Sequence, residues 1–499
     1  MKTYVGIDLG ACDIKAAKIS PQTKRIQPIK LNMNIAGGFA LPSAILYDYI
    51  NGSIEVKIGD GARASVDIDN KISHLTPKLA SKSWSKFIPN LNRKISAADA
   101  LTDMFAKIWR NISKQAARDE NFDVTITVPP AFSDVQKKII RQAAINADIP
   151  ISTIITTPFA EIFSCDELIE TDAAQIVLIF DFGGTMLDVN LFKIERTKNF
   201  NVTTLSAANL NYGGLNIDYA ILRNVFMTKY ADNVRIFLTN PYELMTLIES
   251  MKKEIFIDEE EISTGSLIDD RGKLYEFELT RQEIFSAIDK DEIKPKIISL
   301  LDDLLDDAGI SPQKVNAVKI FGGTSAVDYF SDILQSYFGE EIFDGDIERD
   351  EITLSAAIGA AKYRELTNEE NLRVKVKNLT SGGIYIQRGE KFLRCIKRNE
   401  MRGFMTPYKP LYVDELIKNH WRLSIYQSFS NEVELSADNG DAVYIGDVKL
   451  TAHLYTSTQA ILFKMKINAS GQLCIKFFED YKTKINLVEE KILKFSNQQ

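Results

Sequence analysis

The sequence predicts an α/β region built on a duplicated strand–turn–strand unit, followed by an all-β sandwich. Three observations lead there. Val5-Gly6-Ile7-Asp8-Leu9-Gly10 and Ile179-Phe180-Asp181-Phe182-Gly183-Gly184 are both apolar runs ending in Asp-x-Gly, and their aspartates stand 173 residues apart. Residues 1–363 alternate strand-like with helix-like segments, the signature of an α/β domain. Beyond Tyr363 the hydrophobic period changes to two, which belongs to half-buried strands.

The duplicated turns come first because a repeated unit fixes the architecture. A glycine turn lets backbone N–H groups approach an anion closely. An aspartate at the strand end can hold a hydrated Mg²⁺, which favours one or two carboxylates plus phosphate oxygens. Two such turns facing each other would grip a nucleoside triphosphate from both sides. Asp-x-Gly alone is also ordinary hairpin chemistry, so the third element matters. Val318-Lys319-Ile320-Phe321-Gly322-Gly323-Thr324-Ser325 is another strand ending in a double glycine, and the amphipathic run Val327–Phe338 after it reads as a helix.

Between these turns, Val124–Val128 reads as a strand and Asp134–Ala147 as a helix, with Val135, Ile139, Ala143 and Ala147 at helical spacing. Helices are also predicted at Leu244–Phe256 and Ile297–Asp307, the latter with a solvated aspartate face. Arg364–Asn371 is polar and suits a linker. In the β region Ile461, Phe463, Met465 and Ile467 share one face. Turn signals stand at Asp438-Asn439-Gly440 and Ala469-Ser470-Gly471. Glu489–Gln499 is left as a helical turn or a frayed end.

Composition narrows the function. A net charge of −8 over 499 residues argues against a general nucleic-acid binder. Cys12, Cys165, Cys395 and Cys474 are far apart and read as reduced, and His74, His420 and His453 offer no zinc spacing. The N-terminus runs straight into the strand carrying Asp8, and no apolar run is long enough to span a bilayer. A cytoplasmic protein is expected, with no membrane and no nucleic-acid partner.

The three glycine turns resemble the two phosphate motifs and the adenosine motif of the actin, sugar kinase and heat-shock chaperone superfamily. Further segments make the match specific. Val124–Asp134, Asn211–Asp218, Leu41-Pro42-Ser43, Ile58-Gly59-Asp60 and Ser355–Ala361 resemble the DnaK-type (seventy-kilodalton) heat-shock chaperones. So do Leu423–Gln427, Asp438-Asn439 and Lys466–Leu473 in the β region. The resemblance implies a two-lobed actin-like ATPase domain (residues 1–363), a linker (364–371) and a substrate-binding-like β-sandwich (372–490). No helical lid is expected after the sandwich. The implied ligands are ATP or ADP with Mg²⁺. The implied partners are unfolded or extended polypeptide at the sandwich, and co-chaperones.

The same resemblance assigns residues. Asp8 and Asp181 match the positions that hold Mg²⁺ through water. Gly10, Ala11 and Cys12 match the first phosphate turn, and Gly183, Gly184 and Thr185 the second. Gly213 and Gly214 match the turn at the lobe interface, Glu249, Lys252 and Lys253 the adenosine-contacting helix, and Gly322, Gly323 and Thr324 the adenosine-side turn. Lys78 stands, without a gap from Ile58, at the catalytic lysine position that orients the attacking water. Asp188 and Asp181 match acidic positions of the catalytic set.

Several family groups are replaced. Ala11 and Cys12 stand where hydroxyl residues are expected, Thr157 in place of a catalytic glutamate, Met186 in place of a threonine and Ala326 in place of an arginine. Lys253 replaces an arginine and lacks its planar face. Phosphoryl transfer depends on positioning and on charge placed where it develops, so nucleotide binding with slow or absent hydrolysis is expected. Asn378, Ser381 and Trp421 replace apolar positions of the peptide pocket, and Leu372–Lys377 is the nearest counterpart of the docking linker. Two readings remain: a chaperone with a weak ATPase, and a nucleotide-sensing scaffold without turnover. The sandwich argues against a third, a small-molecule kinase.

Overall fold

The computed structural model describes residues 2–20, 24–32, 38–79, 84–115, 120–130, 132, 134–257, 259–339, 349–368, 374–377, 383–388, 390–397, 405–411, 416–417, 420–428, 434–436, 443–451, 461–467, 473–481 and 484–493. The chain forms two compact units. One comprises residues 1–129 and 140–375, the other residues 130–139 and 376–499.

Two large sheets in the first unit repeat one design. In the first, Lys2–Leu9 runs antiparallel to Asp13–Ile19 and parallel to Asn121–Val128, which in turn is parallel to Ile151–Thr156. In the second, Gln175–Phe182 runs antiparallel to Leu187–Arg196 and parallel to Ala317–Phe321, with Phe200–Leu210 beyond Leu187–Arg196. Each central strand carries its aspartate next to its C-terminal end. These strands are nearly continuous apolar runs because both of their faces are covered, and Val5, Ile7, Ile179 and Phe180 are fully buried. Two smaller sheets complete the duplication: Ala44–Ile50 with Ser53–Ile58 and Lys71–Ser73, and Ile262–Ile268 with Leu274–Thr280.

The helix Arg349–Asn368 packs on Lys2–Leu9, Asn121–Val128 and the short helix Thr157–Ile162. Two glycines permit this approach. A Cβ at Gly6 would strike the Ala357 carbonyl, and one at Gly359 the Ala160 carbonyl. The helix also corrects the expected linker, because it is helical through Asn368. The polar residues there are tied to the first sheet rather than to solvent. Arg364 donates from Nε and Nη2 to Asp123 at 2.8 and 3.0 Å, and Asn368 Nδ2 donates to the Tyr4 hydroxyl at 3.0 Å. Residues 369–371 lie outside the described residues.

Asp123 is 1% exposed and also faces the Lys2 ammonium at 3.6 Å. Burial works to raise its pKa, but the Arg364 hydrogen bonds and the Lys2 charge hold it below the usual carboxylate range. A carboxylate depressed in the fold contributes stability above its unfolded pKa and loses it as pH falls through the folded value. Asp123→Ala is therefore expected to cost about 2 kcal/mol at neutral pH, the scale of hydrogen bonds to charged groups. Denaturant melts of variant and wild type at neutral pH and near pH 3 check this, since the gap should shrink in acid.

The second unit is a pair of antiparallel sheets. One orders Leu416–Ile417, His420–Ser428, Gly383–Arg388, Lys391–Ile396 and Glu434–Ser436, with Val443–Thr451 also paired to His420–Ser428. The other orders Lys409–Leu411, Ile461–Ile467, Leu473–Tyr481 and Lys484–Leu493. Ile384, Leu423 and Ile425 from one sheet share a core with Phe463, Met465 and Ile475 from the other. Ile461, Phe463, Met465 and Ile467 are all buried on one face, as their alternation requires. The final element departs from expectation. Lys484–Leu493 is a strand paired along Leu473–Tyr481, so Glu489 to Leu493 form part of the sheet rather than a helical turn. Asn378, Ser381, the turns at 438–440 and 469–471, and the Trp421 side chain lie outside the described residues.

Candidate functional site

The site is assembled from the ends of the two central strands. Asp8 lies in register with Thr127 on one side and Lys15 on the other, and Asp181 lies between Asp188 and Phe321. Parallel and antiparallel pairing thus gathers polar groups at the strand ends. Thr127 Oγ1 donates to Asp8 Oδ1 at 2.7 Å. The two glycine turns meet: a Cβ on Gly184 would strike the Cys12 side chain. The third turn packs on the second. Gly322 has φ +87°, and a Cβ there would meet the Phe182 carbonyl and Asp181 Oδ1. Thr324 Oγ1 donates to the Gly183 carbonyl at 2.9 Å.

Further hydrogen bonds hold the turns in place. The Gly183 N–H donates to the Met186 carbonyl at 2.9 Å, closing the second hairpin. The Gly214 and Leu215 N–H groups donate to the Gly183 and Gly184 carbonyls at 3.2 and 2.8 Å, joining the Gly213-Gly214 turn to that hairpin. Thr76 Oγ1 donates to the Gly10 carbonyl at 3.0 Å, which braces the first turn. Gly10, Ala11, Cys12, Gly183, Gly184, Thr185, Gly213, Gly214, Gly322, Gly323 and Thr324 therefore belong to one constellation.

The site gathers several carboxyl groups. Burial, and then the neighbouring Asp8 charge, push the Asp181 carboxyl up to about 7. Asp8 is also raised by burial, against the opposing pull of Lys15 and Thr127. Asp188 is 6% exposed beside them. Glu161, on the helix Thr157–Ile162, is 1% exposed, and its Oε2 has no hydrogen-bond partner. Burial raises its pKa well above the usual range, and Asp181, Asp8 and Asp188 add to the rise. This set suits a hydrated divalent cation, which would offset the carboxylates and offer water donors to an oxygen that has none. Among the described residues no three acidic, imidazole or thiol groups form a direct metal-ligand cluster.

The predicted residues do not all converge. Lys78 is the clearest departure. Its ammonium donates to the Ser73 and His74 carbonyls at 2.6 and 3.1 Å and lies 5.6 Å from the Trp84 ring centroid. In the described structure these carbonyls, and not the aspartate pair, satisfy its donors. Lys252 is likewise engaged, pairing with buried Asp218 at 2.6 Å and donating to the Gly214 carbonyl at 3.0 Å. Lys253 pairs with Glu249 at 2.7 Å. Glu249 also receives both guanidinium nitrogens of Arg63, at 2.5 and 3.5 Å, so the pair spans from the first sheet's side of the unit to the helix Pro241–Ile257. Burial opposes ionisation of Glu249, but Lys253 and Arg63 hold its pKa below the usual range.

Cys12 lies 3.8 Å from His74 Nδ1. Burial, reinforced by Asp13, pushes its thiol up to about 12, so it is a neutral small group in the phosphate turn. Sequence reasoning missed Glu161, Lys15 and Arg63. The first two had signals: Glu161 is one helical turn beyond Thr157, and Lys15 is opposite Asp8 in the first hairpin. Arg63 had none.

Together, the duplicated sheets, the facing aspartate–glycine turns and the separate β-sandwich define an actin-like two-lobed α/β protein with a C-terminal β domain. A family model described as Hsp70 protein matches residues 43–492, and the chain belongs to that family. It is 26% identical over 367 residues to the chaperone protein DnaK of Ureaplasma parvum serovar 3, covering 72% of this chain and 57% of the relative. It is 26% identical over 403 residues to that of Mycoplasma mycoides, covering 79% and 64%, and 24% identical over 397 residues to that of Nitrosopumilus maritimus, covering 77% and 59%. The chain thus matches about three fifths of the length of these relatives. Among the described residues no helix is long and apolar enough to cross a membrane.

Proposed function

We propose that this chain binds adenine nucleotide with Mg²⁺ between its duplicated turns, hydrolyses ATP slowly, and couples nucleotide state to the binding of extended or unfolded polypeptide by its β-sandwich. The observation that carries this reading is the meeting of two glycine turns, each behind a half-buried strand-end aspartate. Backbone N–H groups of these turns would bind phosphate. Asp8 and Asp181 would hold the hydrated cation, and Glu249 and Lys253 would border the adenosine. When bound, Mg²⁺ supplies charge neutralisation on the phosphate oxygens. Cys12, being neutral, tolerates a nearby phosphate but offers only a weak hydrogen bond. Slow turnover follows from the groups that are replaced, since losing one charge-stabilising donor costs about 2.7–4 kcal/mol of barrier.

The attachment of Lys78 to two backbone carbonyls favours a second reading, a nucleotide-sensing scaffold without turnover. One experiment separates the two. Calorimetric titration with ATP and ADP, with and without Mg²⁺, tests binding, and single-turnover hydrolysis then tests chemistry. Binding with a measurable single-turnover rate supports the first reading, and binding with no product supports the second. No binding at millimolar nucleotide with Mg²⁺ present refutes both.

A further inference from the structure

Glu161 has no place in the residue assignments carried over from the family, yet its helix Thr157–Ile162 packs on the strands Asn121–Val128, Gln175–Phe182 and Leu187–Arg196 of both sheets. It is 1% exposed, and Oε2 is buried without a hydrogen-bond partner. Its backbone is fixed from behind. The Ala160 carbonyl seats against Gly359, where any Cβ would collide, and Phe159 and Phe163 stack edge-on against Tyr363 at 5.4 and 5.1 Å. The side chain is therefore held in the interior. Its charged neighbours are Asp181, Asp8 and Asp188, with Lys15 as the counter-charge. A buried acceptor without a donor costs about 1–3 kcal/mol; neighbouring carboxyls can meet that need only by sharing a proton, and once ionised none of the three can donate. Nor can a polyphosphate, which is itself an acceptor. The bound waters of a divalent cation can, because Mg²⁺ keeps several of them and each presents two O–H groups.

Thr157 and Glu161 are four residues apart on one helix, so they lie on the same face one turn apart. The carboxyl absent at 157 is thus available at 161. We propose that Glu161 is a third carboxylate of the hydrated-cation site, accepting from a cation-bound water and taking up the place left by Thr157. This rests on the reading of the site as a Mg–nucleotide site. Glu161 acts on the cation's water shell and is a positioning residue rather than a group that touches phosphate.

The test compares wild type, Glu161→Gln and the double variant Thr157→Glu/Glu161→Gln, each checked for fold by circular dichroism. Glutamine keeps the size of the side chain, so Glu161→Gln is expected to fold. Calorimetry measures ADP affinity in EDTA and in Mg²⁺, and electron paramagnetic resonance measures Mn²⁺ binding without nucleotide. Glu161→Gln should reduce the Mg²⁺ enhancement of ADP affinity by about tenfold, the lower end of the range for outer-shell partners. Affinity in EDTA should stay within about twofold, and Mn²⁺ alone should bind about tenfold more weakly. The double variant should recover most of the enhancement. An enhancement and a Mn²⁺ affinity unchanged in Glu161→Gln would overturn the inference. Wild type that binds Mn²⁺ but no nucleotide would refute the functional reading while the Mn²⁺ comparison still decides the role of Glu161. Wild type that binds neither refutes both.

Discussion

Replacing Asp181 with Asn is expected to weaken Mg²⁺-dependent nucleotide binding by about 10–100-fold while raising the melting temperature of the nucleotide-free protein. The two effects have one cause. Asp181 sits half-buried at a strand end with Asp8 and Glu161 within electrostatic reach, and burial and the Asp8 charge lift its pKa to about 7. A carboxyl whose folded pKa exceeds its unfolded value binds protons more strongly in the fold. Stability then falls as pH rises from the ordinary carboxylate range towards 7. The nucleotide-free wild type should lose stability over that interval, and Asp181→Asn should flatten the slope. With Mg²⁺ and nucleotide the same charge becomes useful, because it holds the hydrated cation against the phosphates. Melting curves from pH 5 to 8 with and without Mg–ADP, together with calorimetry, check both arms. A variant that binds Mg–ADP as wild type does would remove Asp181 from the cation site.

The duplicated turns were legible because Asp-x-Gly after an apolar run is a local pattern, and a repeat at long separation is hard to explain by turn chemistry alone. The sandwich was legible for the same reason: alternation at Ile461, Phe463, Met465 and Ile467 is a local period. What escaped is non-local. Polar composition at 364–368 looked like a linker, yet Arg364 and Asn368 find partners on strands more than two hundred residues earlier, at Asp123 and Tyr4. Register with the family put Lys78 at the catalytic lysine position, but register does not specify which acceptor a flexible ammonium finds. Here the carbonyls of Ser73 and His74 are a few residues away and win. Glu161 was overlooked because the expected carboxyl belonged one turn earlier, and a helix offers the same face at both positions.

The ion pair of Arg63 with Glu249 sets the second large expected effect. Arg63 ends the short helix Asp60–Arg63, beside the small sheet that follows the first turn, and Glu249 lies on the helix assigned to adenosine. The pair therefore ties the two halves of the first unit together next to the position proposed for the nucleotide, so release from that position would require it to open. Side chains of Arg63 and Glu249 are 29% and 21% exposed, which leaves the pair only partly screened, and the fork contacts both carboxylate oxygens. Such charge-assisted pairs exceed the roughly 0–1 kcal/mol of exposed ones. An interaction of about 1.4 kcal/mol lost on the way to release corresponds to a tenfold faster off-rate. Arg63→Ala should release ADP about tenfold faster with little change in association, and added salt should accelerate wild type more than the variant. Arg63→Lys should fall between them, keeping the charge but losing the fork. Stopped-flow displacement of a fluorescent ADP analogue measures all three proteins, and equal off-rates for wild type and Arg63→Ala would show that nucleotide leaves without opening this bridge.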